Sequence, residues 1–139
     1  MVEERRLRIP GLIEKVRVAC DFVVEAAQRA GMDERSVYHC QLAVDEACTN
    51  IVEHGYGRNG MDKVIDIICR SEGNRFTITV LDDSGPFNPF SRPDPDPSAV
   101  LEDREHGGWG IYFIKKVMDE VGYQRQGERN RLTMVKHFS

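Results

Sequence analysis

The sequence has few of the features that mark membrane, secreted or nucleic-acid-binding proteins. None of its apolar runs approaches the roughly 18 residues of a membrane span, and the N-terminal MVEERRLRIP does not read as a signal peptide. The net charge is −4 and no stretch is strongly basic, which argues against general nucleic-acid binding. We therefore expect a cytoplasmic protein without a membrane anchor or a direct nucleic-acid partner.

Cysteine is scarce, and its pattern excludes two kinds of stabilising site. The four cysteines form no CxxC pair and fall at apolar positions of predicted elements: Cys20, Cys40, Cys48 and Cys69. This pattern favours small buried thiols in a reducing compartment over zinc ligands or a disulfide framework. No Ser/His/Asp or metal-ligand spacing indicates a hydrolase. We expect one domain, 1–139, that is large enough to bury a core without such support.

What the sequence does contain is clear helical and strand periodicity. Apolar spacing predicts helices at about 12–30, 34–54 and 109–121. Alternation predicts a strand at 5–9 and two antiparallel hairpins, 64–70 with 75–81 and 123–126 with 131–138. This order of elements predicts an α+β fold, a sandwich with one largely antiparallel sheet and the helices on one of its faces.

The predicted second helix carries the most informative polar residues. Asp33 is its expected N-cap, and its apolar side chains cluster within roughly 100° of the helix circumference. Glu46 and Asn50 fall on the opposite side and, four residues apart, share one face. There a carboxylate can polarise a hydroxyl and an amide oxygen can hold Mg²⁺. The alternative is that this side of the helix simply faces water.

A pair of carboxylates follows the strand predicted at 75–81. Asp82 and Asp83 stand immediately before Ser84-Gly85-Pro86. A buried carboxylate here can accept a hydrogen bond from an exocyclic amine such as that of adenine, and the nearby glycine lets a base approach closely. The alternative is an aspartate that caps a turn.

A run of glycines precedes the last predicted helix. Free N–H groups at a helix start, together with the helix dipole, form an anion site, and glycines let phosphate oxygens approach the backbone. The alternative is a flexible entry to the helix. The run is not a P-loop, because the chain contains no GxxxxGK[ST], and it does not follow directly on a strand as a dinucleotide fingerprint would.

Together these segments resemble the GHKL ATP-binding superfamily, in the form found in bacterial anti-sigma factor serine/threonine-protein kinases. LAVDEACTNIVEHGYG (about 42–57) is similar to the N box, VLDDSGPF (about 80–87) to the G1 box, and the stretch at about 106–113, HGGWGIYF, to the G2 box. The resemblance covers almost the whole chain. It implies a histidine kinase-like ATPase domain of the Bergerat type, a two-layer α/β sandwich with a largely antiparallel mixed sheet, and an ATP lid at about 86–106.

The resemblance also implies roles for individual residues. Asn50 would hold Mg²⁺ and through it the phosphates, Glu46 would act as the general base, and Asp82 would bind the adenine amine. The phosphates would lie along Gly107, Gly108, Trp109 and Gly110. His54 matches the family's helix end as well, although a helix C-terminal cap or a packing residue is the favoured interpretation of it.

The G1 box departs from the family pattern at one position. An ungapped match places Ser84 where the family commonly has its first glycine, whereas a shift of one residue makes Asp83-Ser84-Gly85 the matching motif. The ungapped register keeps the following aromatic and proline in place. It therefore favours Asp82 over Asp83 as the adenine-binding residue.

The resulting functional prediction is an ATP- and Mg²⁺-dependent protein-serine kinase that also acts as an anti-sigma factor. No histidine lies in a dimerisation helix of the sensor-kinase kind, so we expect phosphoryl transfer to a separate protein. The resemblance implies an anti-anti-sigma factor (STAS-type) as substrate, a sigma factor as second partner, and a homodimer. The alternative is a nucleotide-switched binding module without phosphotransfer activity.

Overall fold

A computed structural model describes residues 2–91 and 109–139, and within them it shows an α+β sandwich. Five strands form one sheet in the order β1-β2-β3-β5-β4, and every pairing is antiparallel. The strands are β1 (Val2–Pro10), β2 (Val64–Glu72), β3 (Arg75–Asp82), β4 (Glu120–Gln126) and β5 (Arg129–His137). The α-helices are α1 (Val16–Arg29), α2 (Glu34–Asn50) and α3 (Trp109–Val117). The predicted fold class is confirmed.

The core lies between the helices and one face of the sheet. Alternate residues of the central strands are buried, including Ile65 and Ile67 of β2 and Ile78 and Val80 of β3. Their neighbours are more exposed in β2, whereas Thr79 of β3 is buried as well. Side chains of a strand point to opposite faces in turn, so this pattern marks one covered face. The helices supply the other half of the core, and α2 contacts both α1 and α3 as well as the sheet.

The start of α2 follows the local rules that the sequence predicts. Asp33 is the N-cap, and its carboxylate accepts a hydrogen bond from the Ser36 N–H at 3.2 Å. Such a cap satisfies one of the N–H groups that a helix start leaves without a partner. The predicted N-cap is confirmed.

The end of α2 differs from the continuous helix predicted to about residue 54. The α-helix ends at Asn50, and Ile51–Tyr56 continues as a wider π-helical turn that stops at Gly57, whose φ is +57°. The buried Tyr56 hydroxyl donates to the carbonyl of Val64 and accepts from the N–H of Asp83 at 2.8 Å. These two bonds fix the π-helical turn against the ends of two neighbouring strands. Such turns are often found at functional sites.

The last helix is shorter than the predicted 109–121. It ends at Val117, whose carbonyl accepts a hydrogen bond from the Lys136 ammonium at 2.7 Å. Val121 lies in β4 opposite Met134 instead. Its apolar spacing fits a helix as well as a strand, and pairing with β5 decides between the two. The predicted extension of the helix to residue 121 is wrong.

All four cysteines are buried and unpaired, as predicted. Burial raises the pKa of the Cys20 thiol to about 11 and those of Cys40 and Cys69 to about 12. Protonated thiols of this kind pack as small apolar groups. As for the helices formed by the described residues, none is both apolar enough and long enough for a bilayer crossing.

Candidate functional site

A cavity of about 270 Å³ opens where the C-terminal end of α2 meets the ends of β3 and β5. Its lining combines apolar side chains with polar groups from about as many residues, and such mixed linings suit a polar ligand. The lining residues are Asn50, Ile51, His54, Gly55, Asp82, Ser84, Phe87, Pro89, Asn130 and Leu132. The fold thus brings Asn50 and Asp82, 32 positions apart in the sequence, to one cavity.

Asp82 is the last residue of β3 and only 2% exposed. Its Oδ1 accepts hydrogen bonds from the N–H of Ser84 at 2.8 Å, from the Ser84 hydroxyl, and from Asn130 Nδ2 at 3.2 Å. A buried carboxylate needs such donors, because desolvation is costly for an unpartnered charge. Among the described residues no donor reaches Oδ2. The second oxygen is therefore available to a ligand that carries an N–H group.

Asp83 points away from this cavity. Its carboxylate pairs with Arg129, Nε to Oδ1 at 2.8 Å, and the same guanidinium also holds Asp66 at 2.9 Å. Asp66 and Arg8 are joined across β1 and β2 on that side of the sheet, at 2.7 Å. Asp83 directly follows the last residue of β3, and consecutive side chains at a strand end face opposite sides of the sheet. Of the two aspartates, only Asp82 lines the cavity.

Glu46 lies one helical turn before Asn50, beneath the start of α3. A Cβ atom added to Gly110 would overlap the Glu46 carboxylate. Glycine at this position therefore allows the first turn of α3 to approach α2 closely. Glu46 is half-buried and does not line the cavity itself. The two residues of the predicted pair therefore lie in adjacent positions with different surroundings. Asn50 lines the cavity, and Glu46 contacts the first turn of α3.

The environment of Glu46 favours its neutral form. Burial raises the pKa of its carboxyl above the ordinary value, and the negative charges of Asp45 and Glu53 raise it further. A raised pKa makes the ionised carboxylate a stronger base. Proton acceptors near neutral pH are tuned in this way in enzymes.

The predicted phosphate segment is described only from α3 onward. Trp109 is the first residue of the nine-residue helix α3, and Gly110 in its first turn lies against the Glu46 side chain. Gly107 and Gly108 lie outside the described residues, as does most of the predicted lid. Their roles, and that of Trp109, stay predictions.

Three residues of the β4–β5 hairpin belong to the site, although no sequence pattern predicts a role for them. Asn130 in β5 pairs with Asp82 in the sheet register, is 3% exposed, and donates to the Asp82 carboxylate. Tyr123 and Arg125 of β4 bond in turn to the Asn130 amide oxygen, at 2.6 and 3.2 Å. The sequence predicts Asn130 in the hairpin turn, which is wrong. The observed turn is formed by Gly127, whose φ is +59°, and Glu128. Because glycine favours this φ, predicting the turn at Gly127 would have placed Asn130 in the strand.

Known proteins of one family are similar to this chain in sequence. Residues 9–136 match the family model described as the histidine kinase-like ATPase domain. The chain is similar to the serine-protein kinase RsbW of Bacillus pumilus, with 30% identity over 124 residues that cover 85% of this chain and 76% of the relative. It is also similar to RsbW of Bacillus cereus (31%, covering 86% and 76%) and to the serine/threonine-protein kinase BtrW of Bordetella bronchiseptica (28%, covering 69% and 67%).

Solved structures share the fold at low identity. The RsbU and RsbW domains of Rv1364c from Mycobacterium tuberculosis match with a TM-score of 0.62 and 16% identity, covering 96% of this chain and 32% of that one. The chain thus spans about a third of that polypeptide. The catalytic domain of histidine kinase ThkA matches with a TM-score of 0.56 and 12% identity, covering 98% of this chain and 96% of that domain.

Proposed function

Because this chain belongs to the histidine kinase-like ATPase family and is a protein serine/threonine kinase, we propose that it transfers phosphate from Mg²⁺-bound ATP to a serine of an antagonist protein. In this proposal the antagonist is an anti-anti-sigma factor of the STAS type, and the protein sequesters a sigma factor while the antagonist is phosphorylated. The resemblance of the N, G1 and G2 boxes to anti-sigma factor serine kinases supports both partners. The same resemblance supports a cytoplasmic homodimer.

One observation carries the proposal: the cavity combines the single available oxygen of Asp82 with the side chain of Asn50. The Asp82 oxygen would accept the hydrogen bond of the adenine amine. The ribose and phosphates would then extend past Asn50 toward the N-terminal end of α3. A helix start favours negative charge, so it suits the triphosphate.

The metal ligand in this proposal is Asn50. Its side chain is half-buried, lines the cavity and offers an amide oxygen. Mg²⁺ commonly takes only one or two oxygen ligands from a protein and the rest from phosphates and water, so one residue is a fitting ligand set. When bound, the ion would offset the negative charge of the phosphate oxygens.

Glu46 would act as the general base on the substrate serine. Its carboxylate would take the hydroxyl proton as the serine oxygen forms its bond to the γ-phosphorus and the bond between that phosphorus and ADP breaks. The positions of Glu46 and Gly110 support this role, because the base would stand beside the helix start that receives the phosphates. The phosphoserine product adds about −1.5 to −2 charges to the antagonist, which would release it from an interface.

Phosphotransfer to a purified antagonist tests the proposal directly. With radiolabelled ATP and an STAS-type antagonist, label should appear on serine in the presence of Mg²⁺ and disappear when the metal is chelated. Asn50→Ala should weaken Mg·ATP binding by about tenfold or more, because the amide oxygen that would hold the metal is lost, while metal-free nucleotide binds as before.

The matched control is Asn74→Ala, which alters an exposed asparagine in the turn between β2 and β3. Its Mg·ATP binding should equal that of the unaltered protein. Tight ATP binding without transfer to any antagonist tried would favour the nucleotide-switched binding module. Unchanged Mg²⁺ dependence in Asn50→Ala would remove the metal assignment.

The pH dependence of transfer should report the raised pKa of Glu46. A base must be ionised, so kcat should fall with decreasing pH through that pKa, at a higher pH than for an ordinary glutamate. Asp45→Asn removes one of the charges that raise the pKa, so the fall should move to lower pH. Asp21→Asn, the same change on the exposed surface of α1, should leave the profile in place. If the pH profiles of kcat were the same for the unaltered protein, Asp45→Asn and Asp21→Asn, the fall in kcat could not be assigned to Glu46.

A further inference from the structure

Beyond the ATP site itself, we infer that the β4–β5 hairpin determines which purine base the site accepts. Tyr123 and Arg125 are the positioning residues, and they act on Asp82 through Asn130. The inference rests on the proposed function, because it assigns the base to the Asp82 end of the cavity. It adds a source of base selectivity located outside the three boxes.

The first step is the fixed orientation of the Asn130 side-chain amide. Its oxygen accepts from Arg125 Nη1 at 3.2 Å and from the N–H of Phe87 at 3.4 Å, both of which can only donate. The Tyr123 hydroxyl donates to the same oxygen at 2.6 Å. The amide nitrogen must therefore face the opposite way, toward the oxygens of Asp82 and Ser84. A reversed amide would place its N–H groups against the N–H donors of Arg125 and Phe87, and its oxygen against the acceptor oxygens of Asp82 and Gly85.

The second step is that this amide nitrogen has no capacity left for a ligand. Asn130 Nδ2 carries two N–H groups and lies 3.2 Å from Asp82 Oδ1, 3.1 Å from Ser84 Oγ and 3.0 Å from the Gly85 carbonyl oxygen. It is also within 3.3 Å of the Ser84 carbonyl oxygen. The residue is almost fully buried. Asn130 thus organises the surrounding acceptors and does not present a donor to the cavity.

The third step is that the hairpin also holds the loop between Ser84 and Phe87. Arg125 Nη1 donates to the Ser84 carbonyl at 2.8 Å, and the Phe87 N–H donates to the Tyr123 hydroxyl at 3.2 Å. The tyrosine hydroxyl can serve both bonds because it donates once and accepts as well. Two side chains of β4 therefore fix both ends of the loop that carries Ser84.

The consequence is that, among the described residues, the side chains of Asp82 and Ser84 offer acceptors and no free donor at this edge of the cavity. The Ser84 hydroxyl gives its only hydrogen to Asp82 Oδ1, and Oδ2 has no donor among the described residues. A purine with a 6-amino group matches this edge, whereas a 6-oxo purine would place oxygen against oxygen. Releasing the hairpin contacts frees the Asn130 amide or the Ser84 hydroxyl to turn and donate. Loss of the contacts should therefore improve relative binding of 6-oxo purines, which general loosening of the fold would not do.

The test compares Kd values for Mg·ATP and Mg·GTP by calorimetry on the whole chain. Tyr123→Phe removes only the hydroxyl, and it should weaken ATP binding about fivefold while lowering the ATP-to-GTP preference about tenfold. Tyr38→Phe makes the same chemical change on an exposed residue of α2 and should alter neither value. Arg125→Met, which keeps most of the side-chain stem, should lower the preference in the same direction. It also serves if Tyr123→Phe proves too unstable to measure.

An unchanged ATP-to-GTP preference in these variants would overturn the inference. Asp82→Ala separates that result from failure of the proposed site. If Asp82→Ala loses ATP while the hairpin variants keep the normal preference, the ATP site stands and the hairpin has no part in base selection. If Asp82→Ala binds ATP normally, the base does not lie at Asp82, and the proposed function and this inference both fail at that point.

Discussion

Asp82→Asn is expected to lose ATP binding by about 10- to 100-fold while the protein remains folded. The amide can keep its oxygen toward the three donors that now hold Oδ1, which come from Ser84 and Asn130. The atom that faces the cavity then becomes an N–H₂ group instead of an oxygen. Two donors would meet where adenine presents its amine, so the loss is specific to the ligand. Calorimetric titration with Mg·ATP measures it, and the thermal midpoint checks the fold.

The neighbouring substitution Asp83→Asn provides the matched control. It makes the same change one residue later, but on the side of the sheet where Asp83 pairs with Arg129. It should leave ATP binding close to that of the unaltered protein, and its cost should fall on stability instead. The reverse result, with Asp83 required for ATP and Asp82 not, would move the G1 box by one residue.

Glu46→Gln is expected to retain ATP and to lose phosphotransfer by about two to four orders of magnitude. Glutamine has nearly the same shape, so it can keep the contact with Gly110, but it cannot take a proton from serine. Single-turnover transfer to the antagonist separates the chemical step from binding. Full activity of this variant would remove Glu46 from the role of general base.

Gly110→Ala tests the contact between α2 and α3 at the Glu46 carboxylate by changing the residue on α3. The added methyl group would overlap Glu46, so either the carboxylate or the first turn of α3 must move. Displacements of about 1 Å at a reacting group can cost about 100-fold in rate. Transfer should therefore fall while the adenine end of the cavity is unaffected. Gly122→Ala is the control, because a Cβ there meets nothing within 4 Å.

Local patterns in the sequence predict most of the architecture and both ends of the proposed site. The apolar stripe of α2 accounts for the packed face, and it leaves Glu46 and Asn50 on the other side. The alternation of β3 predicts a strand that ends near Asp82. These features follow from short-range periodicity, so one sequence is sufficient to recognise them.

The hairpin residues depend on information that local patterns do not contain. Asn130 reaches Asp82 only because β5 pairs with β3 in one particular register, and these residues are 48 positions apart. A one-residue slip would turn its side chain to the opposite face. Val121 illustrates the same limit, because its spacing fits α3 until the pairing with Met134 is known. Long-range strand pairing is therefore the part of the site that the sequence leaves open.

Because of the π-helical turn at Ile51–Tyr56, the shape of the site depends on the number of residues in this segment as well as on their side chains. In such a turn the backbone accommodates one residue more than an α-helix would, so every later side chain is rotated relative to the buried stripe of α2. Through that offset Gly55 faces Ser84, where a Cβ would lie 3.0 Å from the hydroxyl oxygen, and Tyr56 reaches the end of β3. A relative that lacked the extra residue would align almost perfectly in this segment and still present a different cavity wall.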